Sequence, residues 1–382
     1  MKKTLVALAA LATVGAAFAQ SSVTLYGKID WEVVSKSTRS AAGVTTNPGI
    51  QVNSAGLSGS RWGMKGSEDL GGGMSAIFDL QGGFAVDTGQ LGQCGGQNVT
   101  SVNACTTAGV VNPATGVAGV SAPRIFGRQA YAGLKGGFGQ VTVGRQYAPY
   151  DNAFGSVDAQ GYSSNSAMGL VWNGTGNVGI AGFHADAGPG GPGRVDNQVT
   201  YFTPAMGGFN AQLSYAPGEN RAPGVSASRY AGLGVGYANG PLNIQYAYED
   251  MKTTRPVAAL NTGPVGTTDA HIIGASYDFG VVRPYAAYGR GSAPTGRDRS
   301  WSLGAFAPVG PATLQLGYAR ETARANGAGA SSRTTGFGGQ VVYPLSKRTN
   351  VYTEFAAIRG TAAGAAGSAR YRQFGVGMRH DF

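Results

Sequence analysis

Apolar and polar residues alternate with period two through most of this chain. From Val23 to Val34, Val23, Leu25, Ile29, Trp31 and Val33 share one face, while Thr24, Tyr26, Lys28, Asp30 and Glu32 share the other. Such alternation predicts a strand between two different environments. The same pattern predicts strands over Leu57–Gly66, Gly73–Phe84, Ile125–Lys135, Gly139–Tyr147, Arg194–Thr203, Gly208–Tyr215, Arg229–Ala238 and Leu242–Glu249. It continues over His271–Phe279, Val281–Arg290, Ser300–Ala307, Ala312–Glu321, Thr334–Tyr343, Asn350–Ile358 and Arg370–Phe382, which makes sixteen strands. Short connections alternate strictly with longer, polar, Gly-rich ones, among them a tight turn at Ser67–Gly72 and a loop at Gly291–Arg299.

Period two alone does not separate a soluble sandwich, with its apolar face inward, from a barrel in lipid, with its apolar face outward and a polar lumen. The strict alternation of short turns and long loops does. It predicts an all-β, 16-stranded antiparallel transmembrane β-barrel, because a sandwich gives no reason for that asymmetry. Strands of about ten residues suit a tilted bilayer crossing, and sixteen of them leave room for an aqueous channel.

The first nineteen residues lie outside this pattern. Lys2 and Lys3, the apolar run Leu5–Ala16 and the small-residue site Ala17-Phe18-Ala19 predict a secretory signal peptide over 1–19. The barrel domain is then expected over 20–382. No later apolar run reaches the ~20 residues of a membrane helix, so any crossing has to be made by a closed barrel.

One stretch breaks the alternation. Between Gly139–Tyr147 and Arg194–Thr203 lie nearly fifty residues rich in Gly, Asn, Ser and Ala. A loop of that length inside a compact fold is uncommon and is usually functional or disordered. The expectation is that this third long loop folds into the cylinder and sets the width of the hole.

Composition adds little to this and contradicts none of it. Among 382 residues there are 65 Gly, 18 Tyr and 15 Phe, set among alternating apolar positions, and only 13% charged residues. The net charge of +10 comes without a basic run or an interleaved basic–aromatic patch, which argues against nucleic acid. Cys94 and Cys105 share one Gly/Asn/Thr-rich loop, and in an exported protein they are expected to form a disulfide.

Several stretches resemble the general porins of Gram-negative outer membranes, and in particular their β-proteobacterial subgroup. They are Leu25-Tyr26-Gly27; Ser60 to Gly71, reading SRWGMKGSEDLG; Gly127 to Leu134, reading GRQAYAGL; Gly144-Arg145-Gln146-Tyr147; Arg194-Val195-Asp196-Asn197; Leu345 to Thr349, reading LSKRT; and Gly375 to Phe382, reading GVGMRHDF. The resemblance spans the chain beyond its leader. It implies a homotrimer of barrels, each with its own pore for passive diffusion of small hydrophilic solutes and ions, and no cofactor. Its implied partners are outer-membrane lipid and lipopolysaccharide, and the outer-membrane insertion machinery, which in similar proteins reads a terminal aromatic such as Phe382.

The resemblance also places a basic cluster on the wall at the constriction, here Lys28, Arg61, Arg128 and Arg194. Strand parity puts Lys28 and Arg194 on the polar face, and Arg61 and Arg128 are offset from the outward Trp62, Met64 and Tyr131. The facing loop acids would be Asp151 and Asp158. Where enteric members read Pro-Glu-Phe-Gly, this chain reads Asn152-Ala153-Phe154-Gly155 and lacks the central acid, so the expectation is an anion preference.

Other functions fit these residues less well. A hydrolase at the barrel rim needs a catalytic His constellation, whereas His184, His271 and His380 are far apart and lack metal-ligand spacing. Gly188–Gly193 fits G-x-G-x-x-G literally, but it contains two prolines and leads into a strand, where a dinucleotide site requires a helix. An adhesin with a plugged lumen would share the barrel pattern, and conductance separates the two.

Overall fold

The alternation of the first strand continues to its end. β1 runs over Ser22–Arg39, five residues past the predicted limit. Its lower part, Ser22 to Lys28, pairs with the next wall strand, and its upper part, Trp31 to Ser35, pairs with a short strand, Ile50–Ser54, in the following connection. Its other edge pairs with the last strand from Lys28↔Asp381 to Arg39↔Arg370. First and last strands therefore meet, and the sheet closes on itself.

The computed structural model describes residues 22–91, 124–172, 174–175, 180–181, 193–218, 229–253, 266–294, 296–327, 331–361 and 367–382. The expected leader over 1–19, Cys94, Cys105 and His184 lie outside the described residues.

Sixteen antiparallel strands form the wall. After β1 come β2 (Arg61–Gly71), β3 (Met74–Gly83), β4 (Gln129–Gly136), β5 (Gly139–Tyr147), β6 (Arg194–Phe202), β7 (Phe209–Pro217) and β8 (Arg229–Asn239). Then follow β9 (Leu242–Thr253), β10 (Gly266–Tyr277), β11 (Arg283–Ala293), β12 (Gly296–Val309), β13 (Ala312–Ala325), β14 (Ser332–Pro344), β15 (Thr349–Thr361) and β16 (Ala369–Asp381). Each wall strand pairs with its sequence neighbours, and β16 closes on β1. A closed barrel leaves no edge strand with unpaired backbone groups.

The wall is inverted relative to a water-soluble protein. Val23, Leu25, Val143, Leu213, Leu303 and Phe374 stand about half exposed or more, while Thr142, Gln198, Thr200, Glu249, Ser300 and Glu354 on the opposite face are buried. Large exposed apolar area normally marks an interaction surface; a continuous apolar outer band is what lipid demands of a barrel.

Two predicted connections are displaced. The turn expected at Ser67–Gly72 is strand as far as Gly71, and the chain reverses where Gly71, Gly72 and Gly73 hold φ of 80°, 61° and 76°. Only glycine enters that region without strain, and the Asp69 carboxylate takes the Gly71 amide at 2.9 Å. At the other end, Leu57–Ser60 is loop and not strand, held to β1 by Asp30: its carboxylate accepts the Ser58 amide at 2.8 Å and the Gly56 amide at 3.2 Å. The loop expected at Gly291–Arg299 is mostly ladder, with Gly291↔Asp298, Ser292↔Arg297 and Ala293↔Gly296 paired. Polar, Gly-rich composition read as loop there, but the inward–outward alternation persists, with Asp298 buried and Arg297 and Arg299 exposed.

Among the described residues, the long stretch after β5 contains two helices: α1 (Pro149–Val157) and α2 (Ala167–Trp172). Pro149 begins α1 at the position where its missing amide costs nothing. Ser166 precedes α2, and its Oγ accepts the Gly169 amide at 2.9 Å, a side-chain cap. Tyr150, Ala153, Phe154 and Val157 of α1 and Met168, Val171 and Trp172 of α2 form an apolar cluster with Ala247, Ala270, Ile272, Ala287, Ala319 and Ile358 of the wall. These wall residues belong to the buried face of their strands. Glycines let the segment come close: a Cβ on Gly274 would lie 2.7 Å from Val157, and one on Gly338 would lie 2.3 Å from the Asn165 carbonyl oxygen. Polar contacts extend the seat. Asn152 donates to Gln212 at 2.9 Å, Asn165 to the Gly339 carbonyl at 2.8 Å, and Ser164 to Glu354 at 3.3 Å.

Candidate functional site

Three strand ends bring basic side chains close to one another. Arg61 opens β2 and lies directly across from Lys28 of β1. Arg128 immediately precedes β4, its amide bonded to the Gln81 carbonyl at 3.0 Å. Arg194 opens β6 and pairs with Tyr147, the last residue of β5. Strand order thus places these basic residues side by side although they span 167 positions of sequence, from 28 to 194.

Tyr147 organises the cluster. Its hydroxyl oxygen accepts from Arg128 Nη2 and from Arg194 Nη2, each at 2.7 Å, and the Arg194 guanidinium carbon lies 4.2 Å over the Tyr147 ring. Arg128 Nε also donates to Gln81 Oε1 at 2.8 Å. One phenol oxygen cannot neutralise two guanidinium charges, but it can fix their positions. Arg128 lies within electrostatic reach of Arg61, Arg194 and Asp151. Lys28 stands at the margin, 3.5 Å from Asp381, a pair that offsets part of its charge.

A second group abuts the first. Arg145 of β5, buried, donates Nη1 to Asp196 Oδ1 at 2.7 Å and Nε to the Gly127 carbonyl at 2.7 Å. Arg124 Nη1 approaches both Asp196 oxygens, at 2.9 and 3.0 Å. Asp196 sits in a bulge between Val195 and Gln198 in the β5–β6 ladder, where Asn197 takes φ 56°. Bulges re-aim side chains, and this one turns Asp196 onto two arginines. Sequence reasoning gave no site role to Tyr147, Arg124, Arg145 or Asp196, although Arg145, Tyr147 and Asp196 lie within the GRQY and RVDN stretches that carry the resemblance.

The two loop acids fare differently. Asp151, in the first turn of α1, lies near Arg128 and Tyr147. Asp158 is buried, and its carboxylate takes the Gln160 amide at 3.1 Å, the Tyr162 amide at 2.7 Å and the Ser166 hydroxyl at 2.6 Å. Burial pushes that carboxyl above the ordinary aspartate range, against the three hydrogen bonds. Asp158 therefore shapes the turn between α1 and α2, a different place from the facing position expected of it. Ala153, at the position of the missing acid, is 4% exposed and packed against the wall.

Behind the segment stands a carboxyl pair. Glu354 of β15 lies within electrostatic reach of Glu32 of β1 and accepts from Gln373 and Ser164. The chain end is tied to β1 as well. Gly27 and Phe382 exchange both backbone hydrogen bonds at 3.0 Å, and the Phe382 ring covers Gly27 so closely that a Cβ there would lie 2.2 Å from it. His271 stands on the apolar outer face beside Tyr246 and Tyr248, and His380 at the turn end beside Thr349.

Comparison with known proteins agrees with this architecture. A family model described as Gram-negative porin matches residues 4–363. Outer membrane porin protein 32 of Delftia acidovorans is 34% identical over 96% of this chain and 92% of its own length. An outer membrane porin protein of Bordetella pertussis is 30% identical over the whole of both chains. Among solved structures, the anion-selective porin from Comamonas acidovorans superposes with a TM-score of 0.70 at 27% identity, covering 95% of this chain and all of that one. The trimer form of OmpT from Vibrio cholerae, at 17% identity and a TM-score of 0.61, shares the fold.

Proposed function

Because this chain belongs to the Gram-negative porin family and is a water-filled channel of the outer membrane, we propose that its pore passes small hydrophilic solutes and ions passively and prefers anions. The constriction in this reading lies between segment 148–172, folded inward from the wall, and the basic group Arg61, Arg128 and Arg194, with Lys28 at its edge and Asp151 opposite. The observation that carries it is the pair of guanidinium groups held at 2.7 Å from one Tyr147 oxygen, which concentrates positive charge on one side of the opening. Low-dielectric walls focus such a field and raise the local anion concentration. Selectivity then follows from pore width and lining charge, with no bond made or broken.

Three related proposals complete the reading. The channel assembles as a homotrimer, which the exposed apolar wall supports and which a trimeric fold neighbour exemplifies. Cys94 and Cys105 form a local disulfide. Phe382 serves as the assembly signal read by the insertion machinery, its ring and backbone locked onto β1.

The test is single-channel recording across a salt gradient in a planar bilayer. The reading expects an open channel whose reversal potential has the sign of an anion-preferring pore. A cation-preferring pore would place the arginines away from the narrow point, and an absence of conductance would favour a plugged barrel.

A further inference from the structure

The base of the first long connection reaches both sides of the proposed opening. On this edge of β1, ladder pairing stops at Lys28↔Arg61 and resumes at Trp31↔Ser54. Six residues, Ala55 to Ser60, therefore stand opposite two, Ile29 and Asp30. This excursion forms a strap. Its Gly56 carbonyl accepts the amide of Ser164, in the turn between α1 and α2, at 2.8 Å. Its Gly59 lies against Arg128, where a Cβ would be 2.9 Å from Nη1, and Ser60 leads directly into Arg61.

Asp30 holds the strap. The residue is fully buried, and its polar atoms are bonded to the strap and to Tyr352 of β15. Its amide donates to Ser60 Oγ at 3.0 Å, and its carbonyl accepts from the Ala55 amide and from Ser60 Oγ, each at 2.9 Å. Its carboxylate accepts the Gly56 amide at 3.2 Å, the Ser58 amide at 2.8 Å and the Tyr352 hydroxyl at 2.7 Å.

These positions need the residue types they have. All three groups facing the carboxylate are donors, and a carboxylate offers acceptors alone. Hydrogen bonds to a charged acceptor are the strong ones. Arg379, opposite Asp30 in the β1–β16 ladder and within electrostatic reach, supplies the opposite charge. Gly56 leaves room for the Tyr352 hydroxyl, which would lie 2.0 Å from a Cβ there. The strap also carries strain, since Ala55 holds φ 77°. A residue with a side chain persists in that region only where its surroundings over-determine it, and such residues gather at functional positions.

We propose that Asp30 is a positioning residue for the pore. Through strap 55–60 it fixes both sides of the opening at once: the inward segment at Ser164, and the basic side at Arg128 and Arg61. The proposal rests on the placement of the constriction given above and adds the element that sets its width. Asp30 itself is buried behind the strap and acts on a passing ion only through the groups it positions.

The test combines amide hydrogen exchange with single-channel recording on the purified, channel-forming protein. Asp30→Asn keeps the side-chain shape but turns one acceptor into a donor that faces a donor. Gly56→Ala leaves Asp30 intact and displaces the strap by placing a Cβ against the Tyr352 hydroxyl. Thr200→Val is the control: it removes a buried wall hydroxyl, bonded to Gln198 at 2.7 Å and Ser214 at 3.1 Å, without touching the strap.

In Asp30→Asn and in Gly56→Ala, the peptide carrying Ser164 is expected to exchange on the order of tenfold faster, while the wall ladders keep their protection. Both variants are expected to change single-channel conductance and to move the reversal potential toward cations. Thr200→Val is expected to do none of this. Unchanged exchange at Ser164 would overturn the proposal, as would parental conductance and reversal potential in both strap variants. Equal loss of protection along the whole wall, or the same changes in Thr200→Val, would make Asp30 a general support of the barrel and would overturn it too. Should Asp30→Asn fail to fold, Gly56→Ala decides alone. The parent's own conductance and selectivity test the channel reading separately.

Discussion

Neutralising Arg128 and Arg194 together is the most direct perturbation of the pore. Their Nη2 atoms each lie 2.7 Å from the Tyr147 hydroxyl, so they stand at most about 5.4 Å apart and act on a passing ion almost as one double charge. An ion about 8 Å from one guanidinium feels about 0.5 kcal/mol in water. An anion gains that amount and a cation loses it, so each charge separates the two by about 1 kcal/mol, or about fivefold in relative permeability. At 0.1 M salt the Debye length of about 10 Å reduces this to about twofold per charge, and at 1 M, with a length of about 3 Å, it nearly vanishes. Arg128→Gln with Arg194→Gln is therefore expected to lower the anion-to-cation permeability ratio about fivefold at 0.1 M and scarcely at all at 1 M. The assay is the reversal potential across a salt gradient, taken at several mean concentrations. An unchanged ratio at 0.1 M in a normally conducting channel would refute the placement of these charges at the narrow point. A shift that does not shrink with salt would refute its electrostatic origin.

Other substitutions probe the segment and its seat. Gly274→Leu places side-chain atoms where a Cβ alone would meet Val157 at 2.7 Å; overpacking of this kind costs typically about 1–3 kcal/mol, and it is expected to displace α1 and change single-channel conductance, so an unaltered conductance would contradict the contact. Asn152→Asp adds charge at an exposed position of α1 and is expected to move the reversal potential toward cations, whereas Ala153→Glu would force a carboxylate into the apolar cluster and is expected to lower folded yield; equal yields would argue against that burial. Removing Phe382 takes away two backbone bonds to Gly27 and the ring over it, and is expected to reduce outer-membrane trimer, as seen on unheated gels of membrane fractions. Replacing Cys94 and Cys105 by Ser is expected to leave conductance unchanged, and a large change would show that their loop governs the pore.

Strand number, strand order and the two-faced wall were legible in the amino-acid pattern, because a strand with lipid on one side and water on the other must alternate residue by residue. The parity of Lys28 and Arg194 came from the same rule. Strand ends were less legible: the ladder runs on through Gly291–Ser292–Ala293, whose composition reads as loop but whose alternation does not break. Residues 148–172 showed no period-two signal because they form two helices joined by a turn, and the apolar positions of the first, Tyr150, Ala153, Phe154 and Val157, follow the spacing of a helix face. What packs against that face could not be read along the chain, since its partners Ala247, Ile272, Ala319 and Ile358 are supplied by strands 90 to 210 residues away. The same distance hid the role of Tyr147, which becomes a shared acceptor only when β4, β5 and β6 stand side by side. It hid the fate of Asp158 too, whose charge a sequence counts but whose oxygens the fold has already committed to Gln160, Tyr162 and Ser166. Alternation is a local property and is written residue by residue; which charges meet, and which are spent on the backbone, depends on closure of the barrel, which brings distant strand ends into one place.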